Sequence, residues 1–167
     1  MAVSTSVRKT QLRKHVADML KTLDPQLIRD QSSSITCKKD KHCFIPRFDV
    51  KQNQMDMVRL HSLEDYSTLP EVKWGIKQPP LEEHRENALD TGGLDLVILP
   101  GVAFTMAGDR LGHGKGFYDS FLRRHQQRIG RLPYMIGLAL DVQLFPDVPT
   151  SDRDVQLNEI IHQEAND

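Results

Sequence analysis

Apolar residues recur at steps of three and four near the start of the chain, a pattern that predicts a helix with one buried face. Asp24 and Pro25 interrupt this pattern, and an aspartate cap followed by proline favours the start of a second helix there. Residues 32–41 are polar and show no period, so we expect a loop. The apolar positions of the first stripe are Leu12, Val16, Met19, Leu20, Leu23 and Leu27.

Several short apolar runs predict strands. Residues 43–48 and the alternating residues 55–60 predict an antiparallel ribbon. Residues 94–99 form a nearly continuous apolar run, which is typical of a strand covered on both faces. Residues 134–140 predict another buried strand, and residues 155–161 are a late strand candidate.

A helix predicted between these strands decides the fold class. Residues 117–127 carry Phe117, Tyr118, Phe121 and Leu122 on one side. Because strands alternate with helices, we expect an α/β fold with a mostly parallel sheet flanked by helices and an antiparallel ribbon near the start. The length of 167 residues fits a single domain covering residues 1–167.

Composition and charge exclude some classes of binding partner and suggest a cellular compartment. The net charge of −1 gives no global basic footprint for nucleic acid, and no apolar run approaches the length that spans a bilayer. Cys37 and Cys43 make neither a zinc site nor a disulfide framework, which favours a reducing compartment. The first twenty residues hold four basic residues and no acid before Asp18, as in a mitochondrial transit peptide or an ordinary amphipathic helix. We expect a cytoplasmic location, with the mitochondrion as the alternative.

The strongest chemical signal is a glycine-rich loop between a predicted strand and the predicted helix at residue 117. Four glycines fall between Gly108 and Gly116, together with Arg110, His113 and Lys115. Glycine lets backbone N–H groups approach an anion, and a helix start adds its positive dipole end. The loop matches neither common nucleotide-binding spacing, and a plain glycine-rich turn is the alternative. The basic side chains favour a phosphate site, with Asp119 placed to hold a divalent cation.

The same residues carry a resemblance to a known family. The segment from Pro100 to Phe104, followed by Gly108 to Asp119, resembles the 5-formyltetrahydrofolate cyclo-ligases, also called 5,10-methenyltetrahydrofolate synthetases. Further segments that resemble this family begin at Lys9, Phe44, Met55, Trp74 and Thr91. The resemblance implies a Rossmann-like α/β fold and an enzyme that uses ATP and Mg²⁺. The implied reaction activates the formyl oxygen of 5-formyltetrahydrofolate by phosphorylation, and attack by N10 then closes the ring.

The resemblance also implies roles for individual residues. Arg110 and Lys115 would be catalytic by neutralising phosphate charge, and Asp119 and Asp154 would hold Mg²⁺. The implied ATP-binding set is Lys9, Arg13, Arg110, Leu111, Gly112, His113, Gly114, Lys115, Gly116, Phe117 and Tyr118. The implied substrate-binding set is Trp74, His113, Gly114, Lys115, Gly116 and Phe117.

Plainer interpretations of several of these residues stay open. Lys9 and Arg13 also fit a solvated helix face, and Asp154 fits a turn. Trp74 fits a core or lid position, while Phe117 and Tyr118 fit the packing of a helix on the sheet.

One departure from the family pattern bears on function. Family members carry several tens more residues between the first helices and the strand at Phe44, including the first strand–helix unit and part of the folate pocket. The sequence therefore resembles an internally deleted form. We expect a monomeric folate enzyme that binds neither nucleic acid nor membrane, with self-association through an exposed sheet edge as a further expectation. The alternatives are an inactive, non-enzymatic nucleotide-binding variant and a nucleotide-dependent enzyme with another substrate.

Overall fold

The computed structural model describes residues 4–20, 41–72 and 75–162. Short 3₁₀ helices occur at Ala88–Asp90 and Asp141–Gln143. The longer elements are helices α1 (Thr5–Leu20), α2 (Leu63–Thr68) and α3 (Phe117–Ile129), and strands β1 (Cys43–Asp49), β2 (Gln54–Leu60), β3 (Leu96–Leu99), β4 (Ala103–Phe104), β5 (Arg110–Leu111), β6 (Tyr134–Ala139) and β7 (Glu159–His162).

The contacts divide the chain into two compact units. Among the described residues, unit 1 contains residues 4–20, 95–119 and 133–162, and unit 2 contains the others. Helix α3 starts in unit 1, and its residues from Ser120 onward belong to unit 2. The expectation of one domain over the whole chain stays a prediction.

Unit 1 is built on a parallel sheet of order β3-β6-β7. Strands β4 and β5 form a small antiparallel ribbon beside it. Helix α1 packs on this unit through Val16, which is fully buried, and Leu12, which is partly buried. They pack against Val102, Ala103, Leu111 and Val148, so one apolar cluster joins the first helix to the strands that flank the glycine-rich loop.

The described residues do not cover the parallel sheet on both faces, contrary to the expectations of a strand covered on both faces at residues 94–99 and of a buried strand at residues 134–140. Along β3 and β6 buried residues alternate with more exposed ones, so only one face lies fully in the core. The other face leaves large apolar side chains 36–49% exposed. We call this surface the open sheet face, and it consists of Leu96, Ile98, Tyr134, Leu138 and Ile161. The apolar run therefore predicted burial correctly only for every second residue, whose side chain points into the core. The other residues of the run belong to the open sheet face, over which the described residues place no cover.

Unit 2 is built on the antiparallel hairpin β1-β2, paired from Cys43 with Leu60 to Asp49 with Gln54. Helix α2 follows this hairpin, and its start is capped by Ser62, which accepts a hydrogen bond from the Asp65 backbone N–H. The later turns of α3 contribute Arg124, which pairs with Asp56 of β2 at 3.0 Å. A ribbon that is only two strands wide is therefore tied to a helix by a charged contact.

The structure confirms the α/β class, with its parallel sheet, flanking helices and antiparallel ribbon. It also confirms the first helix as far as residue 20, the two ribbon strands and the helix that begins at residue 117. The late strand is shorter than predicted, at Glu159–His162. The helix expected at Asp24 and the loop at residues 32–40 lie outside the described residues. No described helix is both long enough and apolar enough to cross a membrane.

Candidate phosphate-binding site

The glycine-rich loop runs from a tight ribbon turn to the start of α3. The turn between β4 and β5 ends at Gly108, whose backbone has a positive φ of 95° and donates from its N–H to the Thr105 carbonyl. A side-chain Cβ at Gly108 would lie 2.3 Å from the Leu157 carbonyl oxygen. Only glycine fits here, and the turn therefore fixes where β5 starts and where the loop at residues 112–116 leaves the sheet.

Arg110 lies inside this structure rather than on its surface. Its side chain is only 5% exposed, and its guanidinium donates to the Pro100 carbonyl at 3.2 Å and to Asp119 Oδ1 at 2.9 Å. The Nε of Arg110 is buried and has no hydrogen-bond partner. Arg110 thus joins the segment after β3 to the first turn of α3 across the loop.

Tyr118 lies against the same guanidinium, with the Arg110 carbon 6.0 Å from the centre of its ring. Burial raises the pKa of the Tyr118 phenol to about 12, although the nearby Arg110 charge acts in the opposite direction. The phenol is therefore neutral at physiological pH and packs against the Arg110 side chain.

Helix α1 reaches the loop through Arg13. The Arg13 Nε donates to the Gly112 carbonyl at 2.9 Å, and the guanidinium lies over Gly114, where a Cβ would approach Nη2 to 3.1 Å. Gly114 has a positive φ of 87°, so glycine serves both the turn and the close approach. Arg13, which the resemblance implies as an ATP-binding residue, therefore lies against the loop, and its binding of ATP stays a prediction.

Lys9, one helical turn earlier, contacts Asp154 instead of the loop. Lys9 Nζ lies 2.6 Å from Asp154 Oδ2, and the two side chains are 17% and 23% exposed. The same oxygen accepts hydrogen bonds from the Ser151 N–H at 2.7 Å and the Ser151 hydroxyl at 2.8 Å. Burial favours the neutral acid, but these bonds together hold the pKa of Asp154 below its usual value. The carboxylate is therefore ionised and held in place.

Two predicted site residues of the loop, His113 and Lys115, have exposed side chains. No hydrogen bond or ion pair joins Lys115 to the described part of the chain, so its ammonium is available to a ligand. A pocket of about 290 Å³ adjoins His113. It is lined by Arg13, Lys14, Ala17, Gly101, Val102 and His113.

The remaining predicted residues fall into three groups. Gly112 and Gly116 lie in the loop, and Phe117 is the first residue of α3. The Leu111 side chain is 1% exposed in the apolar cluster, which leaves only its backbone for binding. Trp74 lies outside the described residues. Sequence reasoning missed Ser151, Lys14 and Ala17, and it gave no site role to the pocket residues Gly101 and Val102, although both lie in the segment from Pro100 to Phe104 that carries the resemblance. Ser151, three residues before Asp154, carries a detectable turn signal, whereas Lys14 and Ala17 carry none.

The donor set of this site suits a polyphosphate with a divalent cation. Backbone glycines, Arg13 and Lys115 offer hydrogen-bond donors and positive charge, and Asp119 and Asp154 offer carboxylate oxygens. Among the described residues no three His, Cys, Asp or Glu side chains cluster as a complete metal cage. Mg²⁺ is commonly held by one or two carboxylates together with substrate phosphates, so the two aspartates fit this mode of binding.

Comparison with known proteins identifies the family of this chain. A family model described as the 5-formyltetrahydrofolate cyclo-ligase family matches residues 7–163. The Mus musculus 5-formyltetrahydrofolate cyclo-ligase is 44% identical over 128 residues, which are 77% of this chain and 63% of the mouse protein. A probable 5-formyltetrahydrofolate cyclo-ligase of Caenorhabditis elegans is 42% identical over 124 residues, which are 74% of this chain and 60% of that protein.

A solved structure is similar over nearly its full length. The 5,10-methenyltetrahydrofolate synthetase of Aquifex aeolicus aligns with a TM-score of 0.65 and 26% identity, covering 92% of this chain and 89% of that chain. The chain nevertheless spans only about three fifths of the length of the two curated relatives. The whole activity of those relatives therefore does not transfer to this chain by similarity alone.

Proposed function

Since the chain belongs to the 5-formyltetrahydrofolate cyclo-ligase family, we propose that it converts 5-formyltetrahydrofolate to 5,10-methenyltetrahydrofolate with ATP and Mg²⁺. One observation carries this proposal: helix α1 and the glycine-rich loop meet, with Arg13 bound to the Gly112 carbonyl, and Lys115 of the same loop is exposed. This arrangement supports a triphosphate site next to a free cation.

The proposed chemistry explains why such a site is needed. A formamide oxygen is a poor leaving group, and ATP supplies the phosphoryl group that lets it depart as phosphate after N10 attacks. Phosphoryl transfer depends mainly on positioning and on neutralising charge at the transferring group. Lys115 would neutralise that charge directly, and His113 and the loop glycines would orient the phosphates and the reacting end of the folate.

The other site residues take supporting parts in the proposal. Lys9 and Arg13 would bind ATP from α1. Arg110, which is buried and paired with Asp119, would stabilise the bound phosphates by its positive charge without being exposed at the surface of the loop. Asp119 and Asp154 would hold Mg²⁺ by their carboxylates. Phe117, with Trp74, would contact the flat pterin, and Tyr118 would form the neighbouring wall.

We place this activity in the cytoplasm, with the mitochondrion as the alternative, because the cysteine usage suits a reducing compartment. Folate is the expected small-molecule partner, and the chain is expected to act without nucleic acid or membrane.

A second candidate function is favoured by two observations. The chain spans about three fifths of its curated relatives, and the open sheet face leaves five apolar side chains exposed. A non-enzymatic variant that binds nucleotide and self-associates through exposed sheet surface would have both features. Equilibrium binding of 5-formyltetrahydrofolate separates the two candidates, because tight binding of the folate contradicts a chain that lacks part of its folate pocket.

The proposed enzyme is tested by the absorbance of methenyltetrahydrofolate in the presence of 5-formyltetrahydrofolate, ATP and Mg²⁺. We expect turnover by the native chain, its loss in Lys115→Ala, and its retention in Lys51→Ala, which removes an exposed lysine from the hairpin turn of unit 2. A soluble, folded chain with no turnover contradicts the enzyme and leaves the nucleotide-binding variant.

A further inference from the structure

The two carboxylates proposed to hold the metal are each already paired with a cation proposed to bind phosphate. Lys9 Nζ lies 2.6 Å from Asp154 Oδ2, and Arg110 Nη2 lies 2.9 Å from Asp119 Oδ1. All four side chains are less than a quarter exposed. Without ligands each of these two carboxylates is therefore neutralised by a cation of the same site.

Partly buried charges of this kind are costly to leave without a partner. If a nucleotide drew Lys9 away, Asp154 would be left as an unpaired carboxylate. If a divalent cation bound Asp154 with Lys9 still in place, two positive charges would share one carboxylate. Only a ligand that carries both a cation and phosphates offers each member of the pair a new partner at the same time.

We propose that the Lys9–Asp154 ion pair makes the site select the metal–nucleotide complex over either component. This inference rests on the proposed function, since it assumes that the ligand is a metal-bound nucleotide. It adds that the metal and the nucleotide bind with strong coupling, and that Lys9 opposes binding of the metal when no nucleotide is present.

The two ion pairs differ in their freedom to open. Lys9 has a flexible aliphatic chain and makes one contact, whereas Arg110 is almost fully buried and also bound to the Pro100 carbonyl. When Lys9 leaves, Ser151 still donates two hydrogen bonds to Asp154 Oδ2. Asp154 then keeps its position for the metal, so Lys9–Asp154 is the pair that opens more readily.

The test measures binding rather than turnover, with Mn²⁺ as a paramagnetic probe and a non-hydrolysable ATP analogue as the nucleotide. We expect Lys9→Met to bind Mn²⁺ about tenfold more tightly than the native chain when no nucleotide is present, because the competing cation is gone. The same variant should bind the Mn²⁺–nucleotide complex about tenfold more weakly. Reciprocally, Asp154→Asn frees Lys9 and should bind the nucleotide more tightly in the presence of EDTA.

Arg8→Met is the matched control. Arg8 lies next to Lys9 on α1, and its substitution removes an ion pair with Asp147 in which both partners are largely exposed. It should leave unchanged the affinities for Mn²⁺ alone, for the Mn²⁺–nucleotide complex and for the nucleotide in the presence of EDTA.

Two of the expected effects are gains in affinity, which a misfolded variant does not produce. If Lys9→Met and Asp154→Asn show no gain while the native chain binds the Mn²⁺–nucleotide complex, the inference is overturned and the nucleotide site stands. If the native chain does not bind that complex, the nucleotide site of the proposed function fails, and the inference fails with it.

Discussion

Arg110 donates a hydrogen bond from Nη2 to Asp119 Oδ1 at 2.9 Å and thereby connects the residue two positions before the loop at residues 112–116 to the first turn of α3. The same guanidinium donates to the Pro100 carbonyl at 3.2 Å. The loop at residues 112–116 is thus fixed at both of its ends by one buried side chain. A loop held in this way has less conformational entropy to lose when it binds an anion.

The first prediction concerns the stability that this contact provides. Arg110→Met should lower the free energy of unfolding by about 3 kcal/mol, because it leaves the mostly buried Asp119 carboxylate without its partner. Urea unfolding followed by circular dichroism measures this loss. Arg128→Met, which breaks the largely exposed pair with Asp90, should change the free energy by less than about 0.5 kcal/mol. Equal losses in the two variants would contradict a structural role for Arg110.

The fold was predictable wherever local patterns decide the structure. The alternation at residues 55–60 predicted β2, and the apolar side of residues 117–127 predicted α3. The covering of the sheet was not predictable, because the apolar run of Leu96 to Leu99 is the same whether one face or both are buried. Burial of a strand face depends on elements distant in sequence, which a local pattern does not record.

The second prediction tests the ribbon turn that precedes the loop. Gly108→Ala should lower the free energy of unfolding by about 3 kcal/mol or more, because the new methyl group collides with the Leu157 carbonyl oxygen. Gly92 has the same positive φ of 95°, but a Cβ added there would meet nothing within 4 Å, so Gly92→Ala should cost only about 1 kcal/mol. Similar losses at both positions would mean that backbone strain, and not the collision, decides the effect.

The third prediction is a loss of stability in acid. The hydrogen bonds from Arg85, followed by the one from the His61 backbone, lower the pKa of Asp65 to about 2 from 3.8. A lowered pKa in the folded state stabilises the protein above pH 4, and this contribution is lost as the pH falls through about 2. This lowering of the pKa corresponds to a contribution of about 2 kcal/mol to the free energy of unfolding at neutral pH.

Unfolding free energies measured from pH 6 to pH 2 in the native chain and in Asp65→Asn test this expectation. The variant should be less stable at neutral pH and should lose less stability in acid. Glu64→Gln, which changes an exposed neighbour on α2, should keep the native pH dependence. Parallel curves for the native chain and Asp65→Asn would contradict the assignment.

The fourth prediction concerns the open sheet face. Five partly exposed apolar side chains lie on one face of the sheet, and exposed apolar patches favour contacts between molecules, so we expect concentration-dependent association. Ile98→Lys, which places a charge on this face, should reduce the association seen by sedimentation velocity. Leu63→Lys, at an exposed position in unit 2, should not reduce it. A native chain that sediments as a monomer at every concentration would contradict this expectation.

The candidate site was predictable to a different degree from the fold. The spacing of Gly108 to Gly116 and the basic residues among them predicted a loop before a helix, and the structure has that loop. The resemblance implied only that Arg13 binds ATP. Its hydrogen bond to the Gly112 carbonyl was not predictable, because the two residues are far apart in sequence and nothing local links them. The burial of Arg110 and its pairing with Asp119 were not predictable, since the residue types fit an exposed phosphate-binding pair equally well.

The central claim is that the glycine-rich loop binds the phosphates of a nucleotide, and isothermal titration with ATP and Mg²⁺ tests it most directly. We predict saturable binding by the native chain, weaker by about ten- to a hundredfold in Lys115→Ala and unchanged in Lys51→Ala. Adenosine, which lacks phosphates, should bind far more weakly than ATP. Equal binding of ATP by the native chain and by Lys115→Ala, or no binding by a folded native chain, would contradict the claim.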